Sequence, residues 1–348
     1  MRRILLLTMM AILALTASAY DFMVDGLCYN IIDFENLYVE LTYEIFPENQ
    51  SSNYNNLGGS LVIPERVNYS DETFLVTSIG LRAFGGCSGV TSVTIPNSVT
   101  SIGGEAFWKC ANLATAKIGD SVKSIQTSAF YGCSKLANIQ FPNSLISVQY
   151  HAFEGTLWLD RQSNGVVYAG SVAYLYKGSM PSNTSIAIKE GTKGISSNIF
   201  KNCSGLLSLT IPTSMTYIDS YAFSGCTNLK SIWCKVASPS NLNIKSGVFT
   251  GVPSESCLLT VPVGTSAAYR QINQWKTFSN INEALMLSDT IGDLNCDNVV
   301  NGADLNIMVN QMIGTTAYDD EEGATDLNND ERLTGADLNR MISIILEQ

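Results

Sequence analysis

Apolar side chains recur at a fixed interval through the middle of this chain. Phe84, Phe107, Phe130 and Phe153 are each 23 residues apart, and Phe200 to Phe223 repeats the step. Cys87, Cys110 and Cys133, then Cys203 and Cys226, keep the same interval three residues after each Phe. One unit reads L-x-x-I-x-I-P-x-x-x-V-x-x-I-x-x-x-A-F-x-x-C-x-x-L, as in Leu206, Leu209, Ile211, Pro212, Met215, Ile218, Phe223, Cys226 and Leu229. The alternation at Val93 and Ile95 is that of a strand, whose residues two apart share a face. The proline that follows stops the strand from continuing. A unit of this length cannot bury its own apolar positions, so each must stack on the next and share one core. The pattern predicts a β-rich solenoid built of rungs of about 23 residues.

Two stretches depart from the period. Phe153 and Phe200 lie 47 residues apart, close to two steps, which predicts a degenerate rung within "GVVYAGSVAYLYKG" from Gly165 to Gly178. Residues Tyr20 to Tyr43, "YDFMVDGLCYNIIDFENLYVELTY", alternate with period two and predict strands that cover the first rung. The cysteines, small and weakly polar at a constant internal step, read as a buried packing ladder. Thr156 holds the same place in one rung, as a packing position permits. Cys234 and Cys257 also differ by 23, which leaves a disulfide between adjacent rungs open.

The units "IPNSVTSIGGEAF" and "IPTSMTYIDSYAF", the insert "GTLWLDRQSNGVVYAG" followed by "IKEGTKGI", and the closing "VPVGTSAAYRQINQWKTFSNI" resemble the BspA-like leucine-rich repeats of bacterial surface and secreted proteins. The resemblance runs over residues 20 to 285 and implies adhesion or protein binding. Between core positions the concave strand face would show Thr91, Ser92, Thr94, Thr115, Lys117, Asn138, Gln140, Ser208, Thr210, Lys230, Ser231 and Trp233. None of these is acidic, whereas glycoside hydrolysis asks for two facing carboxyl groups. A nucleophile activated by imidazole needs a histidine, and the one in the chain, His151, stands where other rungs carry Arg82, Glu105, Ser128 or Tyr221. The expectation is a non-enzymatic surface suited to a protein or a glycan. The alternative is an enzyme or accessory subunit of a polysaccharide-degrading complex, with Glu105, Glu154 and Asp219 as its acids.

A second pattern closes the chain. Leu305, Met308, Val309 and Met312, and again Leu338, Met341, Ile342 and Ile345, follow the i, i+3, i+4, i+7 stripe of a helix with one buried face. Each stripe is preceded by a loop in which oxygen-bearing side chains fall at positions one, three, five, nine and twelve. The first set is Asp293, Asn295, Asp297, Asn301 and Asp304; the second is Asp326, Asn328, Asp330, Thr334 and Asp337. With the position-seven carbonyls of Val299 and Arg332, this is the spacing of an EF-hand calcium loop, and calcium wants six to eight hard oxygens. Carboxylates crowded into one loop repel by about 4 kcal/mol per close pair at an effective dielectric near 20, and a divalent cation reverses the sign. Two Ca2+ ions are expected, and folding here should depend on them.

Neither loop follows a convincing helix, and the two loop-helix halves, ending in "GADLNRMISIIL", resemble a type I dockerin domain. The resemblance implies a cohesin partner met through Gly302, Ala303, Asn306, Gly335, Ala336 and Asn339. Position six departs from the usual glycine: Asn298 tolerates a left-handed backbone and Glu331 less so, which predicts a weaker second site. A further reading has the module bind calcium for stability and close on its own chain.

Charge and the N-terminus complete the picture. Residues 288 to 348 hold thirteen acids against two bases, while the rest of the chain holds eighteen of each, so the net charge of -11 is local. That balance argues against nucleic acid, whose affinity comes from Lys and Arg on phosphates. "MRRILLLTMMAILALTASA" has basic residues, a short apolar run and small residues before Tyr20, and predicts a cleaved secretory signal. The expected organisation is a signal peptide at 1–19, an N-terminal β cap at 20–80, the solenoid with its C-terminal cap at 81–286, and the dockerin-like module at 287–348. An extracellular, surface-associated protein with no membrane span after cleavage is implied. Circular dichroism of residues 288–348 should show helix gained on calcium titration, saturating at two ions; a spectrum unchanged between calcium and EDTA would refute the ligand assignment.

Overall fold

In a computed structural model the described residues are 20–43, 54, 57–284, 302–312 and 335–346. They fall into two compact units. One runs to Gly178 and takes in Gly194–Ile199; the other comprises Ser179–Lys193 and the described residues from Phe200 onward.

In the first unit every rung contributes one strand to each of two parallel ladders. Leu61, Val93, Ala116 and Ile139 are register partners in one ladder, and Ile79, Ile102, Ile125 and Val148 in the other. These side chains point inward, as the period-two alternation requires, and all but Ile139 are buried. Parallel strands lie about 4.8 Å apart, so a residue repeated once per rung meets its own copy at nearly that distance. The phenylalanines do so: ring centroids are 5.2 Å apart for Phe84–Phe107, 5.0 Å for Phe107–Phe130 and 5.4 Å for Phe130–Phe153, each pair within 14° of coplanar. The predicted strands of the N-terminal segment are Phe22–Val24, Leu27–Asp33 and Tyr38–Thr42. They pair antiparallel in sequence, and Tyr38–Thr42 then runs parallel to Glu72–Ile79, which joins the meander to the rungs.

The turn that presents each Phe uses two left-handed residues. One precedes the Ala-Phe pair: Arg82, Glu105, Ser128 and His151 have φ between 54° and 58°. The other lies two residues after Phe and is Gly86, Lys109, Gly132 or Gly155. This geometry lets the Phe N–H leave its own rung and donate to the next rung's Ala carbonyl, at 2.7 Å for Phe84 to Ala106 and for Phe107 to Ala129. The cysteines do more than fill space. Cys110 Sγ donates to the Phe84 carbonyl at 3.1 Å and Cys133 Sγ to that of Phe107 at 3.0 Å, stitching each rung to its predecessor.

After Phe153 the ladder changes. Thr156, in the cysteine column, caps a short helix Leu157–Asp160 by accepting from the Leu159 N–H at 3.2 Å. Lys177 Nζ, donating to the carbonyls of Leu159, Asp160 and Gln162, closes its other end. The degenerate rung is an antiparallel hairpin, Gly165–Ala169 with Val172–Lys177, whose Ala173 takes the register place opposite Ile195. With no Ala-Phe turn to follow, Phe153 has no carbonyl to donate to, and the buried Tyr174 hydroxyl accepts its N–H at 3.1 Å. Phe141, Trp158 and Tyr174 meet the last ring edge-on and end the stack.

The second unit repeats the scheme. Thr184–Ala187, Leu206–Ile211, Ser231–Cys234, Leu258–Pro262 and Ile281–Ala284 form a parallel ladder. Phe200, Phe223 and Phe249 stack at 5.4 and 5.7 Å, and Cys226 Sγ donates to the Phe200 carbonyl at 3.1 Å. Trp275 and Phe278 cover Phe249 and end this stack, with Tyr269 packed behind Trp275, all of them buried. Ser231 pairs with Leu258, a step of 27, because the 3-10 turn Pro239–Asn241 lengthens the connection. Cys257 therefore precedes its strand while Cys234 ends its own, so their 23-residue separation is not a register match. Both thiols are free, and no bridge forms there.

Tyr174→Phe should cost about 1–3 kcal/mol, the penalty of a buried N–H left without an acceptor. Tyr221→Phe, on an exposed ring, should stay within about 0.5 kcal/mol. Thermal unfolding of the two variants checks this, and equal midpoints would refute the substitution of hydroxyl for carbonyl.

Candidate functional site

The strands place the predicted surface residues in columns, because every second side chain points away from the core. In the first unit Ser92, Thr115 and Asn138 are register partners, as are Thr94, Lys117 and Gln140, all at least partly exposed. In the second unit Ser208 and Ser231 align, and Thr210 aligns with Trp233. The last full strand extends both columns with Leu258 and Thr260, which the sequence reading did not include. The signal was present: "LLTVP" from Leu258 repeats the "LTIP" of Leu209. Lys235 was also missed. Its Nζ lies 4.8 Å from the Trp233 ring centroid and 3.6 Å from a Glu190 carboxylate oxygen.

The three acids weighed for catalysis are each engaged locally. Glu105 accepts from Arg82 Nε at 2.7 Å across adjacent rungs. Glu154 is paired with His151 Nδ1 in the same turn. Asp219, buried, accepts the N–H of Ser220 at 2.7 Å. Among the described residues no group of three or more His, Cys, Asp or Glu side chains is arranged to hold a metal.

Near the C-terminus the two predicted stripes form helices Gly302–Met312 and Gly335–Leu346. Their core is Ile307, Met308 and Met341, with Leu305, Leu338, Ile344 and Ile345 against it and Val263 joining from the C-terminal cap. Two details differ from the stripe. Ile342 is 37% exposed, and Ile307, outside the stripe, is buried. The face turned inward is thus rotated slightly from the one that spacing alone selects.

Of the twelve predicted calcium positions, Asp304 and Asp337 are described; Asp293, Asn295, Asp297, Val299, Asn301, Asp326, Asn328, Asp330, Arg332 and Thr334 lie outside the described residues. Asp304 and Asp337 occupy the same place in the first turn of their helices, and both are fully buried. Each is the last oxygen-bearing position of its predicted loop, and their matched places at the two helix starts follow the repeat of the ligand spacing. Of the predicted partner residues, Gly302, Asn306 and Asn339 are exposed on these helices. Gly335 and Ala336 begin the second helix and Ala303 lies in the first.

Residues 60–164 and 173–281 match the BspA type leucine rich repeat region, in six copies. Residues 291–346 match the dockerin type I domain. Dockerin type I domains bind calcium and pair with cohesin domains, and neither matched module is catalytic. Both kinds of module are typical of extracellular or cell-surface proteins, and no described helix is long and apolar enough to cross a membrane. No curated protein matches significantly. Among solved structures, a leucine-rich repeat protein from Bacteroides ovatus is 25% identical, with 81% of this chain and 70% of that one covered and a TM-score of 0.38. A leucine-rich repeat protein from Bacteroides capillosus is 28% identical over 42% of this chain and 96% of its own, with a TM-score of 0.34. One from T. pallidum is 21% identical, covering 74% and 92%, with a TM-score of 0.34.

Cys226, Cys234 and Cys257 offer no reactive thiolate at neutral pH. Burial pushes the Cys226 thiol up to about 12, and Cys234 and Cys257 up to about 11, from an ordinary 9.0. A thiol-specific disulfide reagent at pH 8 should leave these three unmodified in the native protein and label them after denaturation. Because the unfolded chain releases these protons first, their contribution to stability is complete below pH 9 and is lost as pH rises through 11 to 12. Urea midpoints should accordingly fall over that window; native labelling, or midpoints that rise with pH, would contradict the buried ladder.

Proposed function

The chain belongs to the BspA-type leucine-rich repeat family, and from that premise we propose that it is an exported, non-catalytic binding protein. Its solenoid recognises a protein or a glycan through the outward strand columns. Its calcium-loaded dockerin-type module attaches it to a cohesin-bearing scaffold or cell surface. The observation that carries the attachment is the pair Asp304 and Asp337, identically placed and fully buried at the starts of two helices.

In this reading one ion is held by Asp293, Asn295, Asp297, the Val299 carbonyl, Asn301 and Asp304, and a second by Asp326, Asn328, Asp330, the Arg332 carbonyl, Thr334 and Asp337. The cation neutralises side chains that otherwise repel, and so sets the two helix starts in place. Gly302, Ala303 and Asn306, with Gly335, Ala336 and Asn339, then present two near-identical patches to the partner. The strand columns supply hydroxyl, amide and ammonium groups, and the acids Glu105, Glu154 and Asp219 are committed to neighbours, which favours binding over turnover. One contact supports a second reading. Val263 of the repeat cap packs on the helix-pair core, as it would if the module closed on its own chain.

Capture of the full chain by immobilised type I cohesin domains separates the two. Capture should occur in millimolar calcium and be lost in EDTA. Asp304→Asn with Asp337→Asn should weaken calcium binding by about tenfold or more, measured by calorimetry, and abolish capture. Calcium binding without capture by any cohesin would favour the self-docking reading, and capture that persists in EDTA would overturn the calcium-set interface.

A further inference from the structure

The outward strand face of the second unit carries a feature that a general recognition surface does not require. Trp233 stands half-buried in its column between Thr210 and Thr260, the register partners on either side. Both neighbours carry hydroxyls, as do Ser208 and Ser231 in the adjacent column, which continues with Leu258. The indole Nε1 is buried without a hydrogen-bond partner, so the ring offers the outside its apolar face and not its N–H. Lys235, two residues on and on the same face, holds its ammonium 4.8 Å from the ring centroid. Its ion pair with Glu190 is loose at 3.6 Å, and the Glu190 side chain is 61% exposed, so the ammonium is available to a stronger anion.

Charge along the chain points the same way. Residues 179–285 hold eight bases against four acids, in a protein whose net charge is -11. Three of those bases flank this ladder: Lys189 follows the strand Thr184–Ala187, Lys230 precedes Ser231, and Lys235 follows Cys234. Glu283, the acid on the last strand, is already spent on the N–H groups of Gly264 and Ser266, at 2.9 and 2.8 Å. Anion recognition here needs no metal and no rearrangement of the backbone.

A flat aromatic ring, a row of hydroxyls and an ammonium two residues away match one ligand chemistry in particular. The apolar face of a pyranose stacks on indole, its hydroxyls meet Ser231, Thr210 and Thr260, and a carboxylate on the sugar meets Lys235. Adjacent strands, about 4.8 Å apart, repeat these donors along the ladder at roughly the length of one sugar. A protein partner would instead be expected to bury a broader apolar patch than one tryptophan. We infer that the Trp233–Lys235 face of the second unit is a subsite for a uronate-bearing polysaccharide. The inference deepens, and rests on, the reading of the strand columns as the recognition surface.

Affinity electrophoresis of the full chain in calcium buffer tests it, with gels containing hyaluronate, neutral mixed-linkage β-glucan or poly-glutamate. Hyaluronate should retard the protein, and the retardation should fall with added salt. Lys235→Gln and Trp233→Ala should each weaken it about tenfold, and Lys235→Arg should keep it within about twofold. Because Trp233 is partly buried, the Lys235 pair carries the decision if Trp233→Ala unfolds on heating appreciably below the parent. No retardation by hyaluronate, or retardation indifferent to Lys235→Gln, overturns the inference. Equal retardation by poly-glutamate also overturns it, since charge alone would then explain binding to an acidic protein or to the chain's own acidic segment. Binding of neutral β-glucan unaffected by either substitution overturns it too, while leaving the strand columns as a recognition surface and cohesin capture untouched.

Discussion

Everything in the repeat units follows from one distance, the spacing between hydrogen-bonded parallel strands. Once that spacing is set near 4.8 Å, a residue that recurs once per rung must be compatible with its own copy at van der Waals range. Phenylalanine satisfies this by stacking offset and nearly coplanar, at 5.0 to 5.7 Å in both units. Cysteine satisfies it differently: a thiol is small enough to sit beside the stack and still donate to the carbonyl of the rung before. The surface obeys the same rule. Asn112 Nδ2 reaches the Ser88 carbonyl and Asn228 Nδ2 that of Ser204, at 2.8 Å in both units. Like charges would repel at this spacing, and the column that carries Arg82 places Glu105 beside it, with the opposite sign.

A ladder so defined has two ends at which each repeated group lacks a partner, and the irregular parts of the chain exist to answer that. Trp158 and Tyr174 turn edges toward Phe153, whose face would otherwise be bare, and Tyr174 also replaces the absent carbonyl. Trp275 and Phe278 do the apolar part of this for Phe249. Tyr54, against Phe84, works at the opposite end of the first stack; its hydroxyl accepts from the Cys28 N–H and donates to the Thr42 carbonyl. At both ends of the first stack an aromatic with a hydrogen-bonded hydroxyl does this, Tyr54 on one side and Tyr174 on the other, while the Phe249 end is closed by apolar contact.

This explains which parts were legible in sequence. Periodicity reports residues that must meet their copies, so the strands, the Phe ladder and the buried cysteines could be read directly. The hairpin at Gly165–Lys177 could not, because an end group answers a geometric need once and leaves no period behind. The false match of Cys234 and Cys257 has the same origin: equal spacing means equal register only where no connection has been lengthened. The left-handed turn positions left a trace, in the Gly86, Gly132, Gly155 and Gly225 column, that an apolar pattern ignores. For the helix pair the stripe gave the right elements but misplaced Ile342 and Ile307, because an eleven- or twelve-residue helix offers few turns with which to fix a rotation. The proposed metal ligands come from chemistry alone, as oxygens at alternate positions, and only Asp304 and Asp337 fall among the described residues.

The in-register constraint also bears on what such a surface is able to do. Catalysis by paired groups asks for unlike side chains that converge on one point with their proton affinities driven apart, usually by burying one and solvating the other. A ladder resists this, since it spreads like groups along a line and keeps them solvated. The same regularity suits recognition of a polymer, where weak contacts at successive rungs add along the chain, and one interruption such as Trp233 with Lys235 supplies selectivity. In the proposed reading, recognition and attachment fall to parts with opposite demands. The solenoid is held by apolar contact with itself, whereas thirteen of the chain's acids lie in residues 288–348, where a bound cation would relieve their mutual repulsion. Concentrating the charge there, and not in the rungs, spares the stack that repulsion.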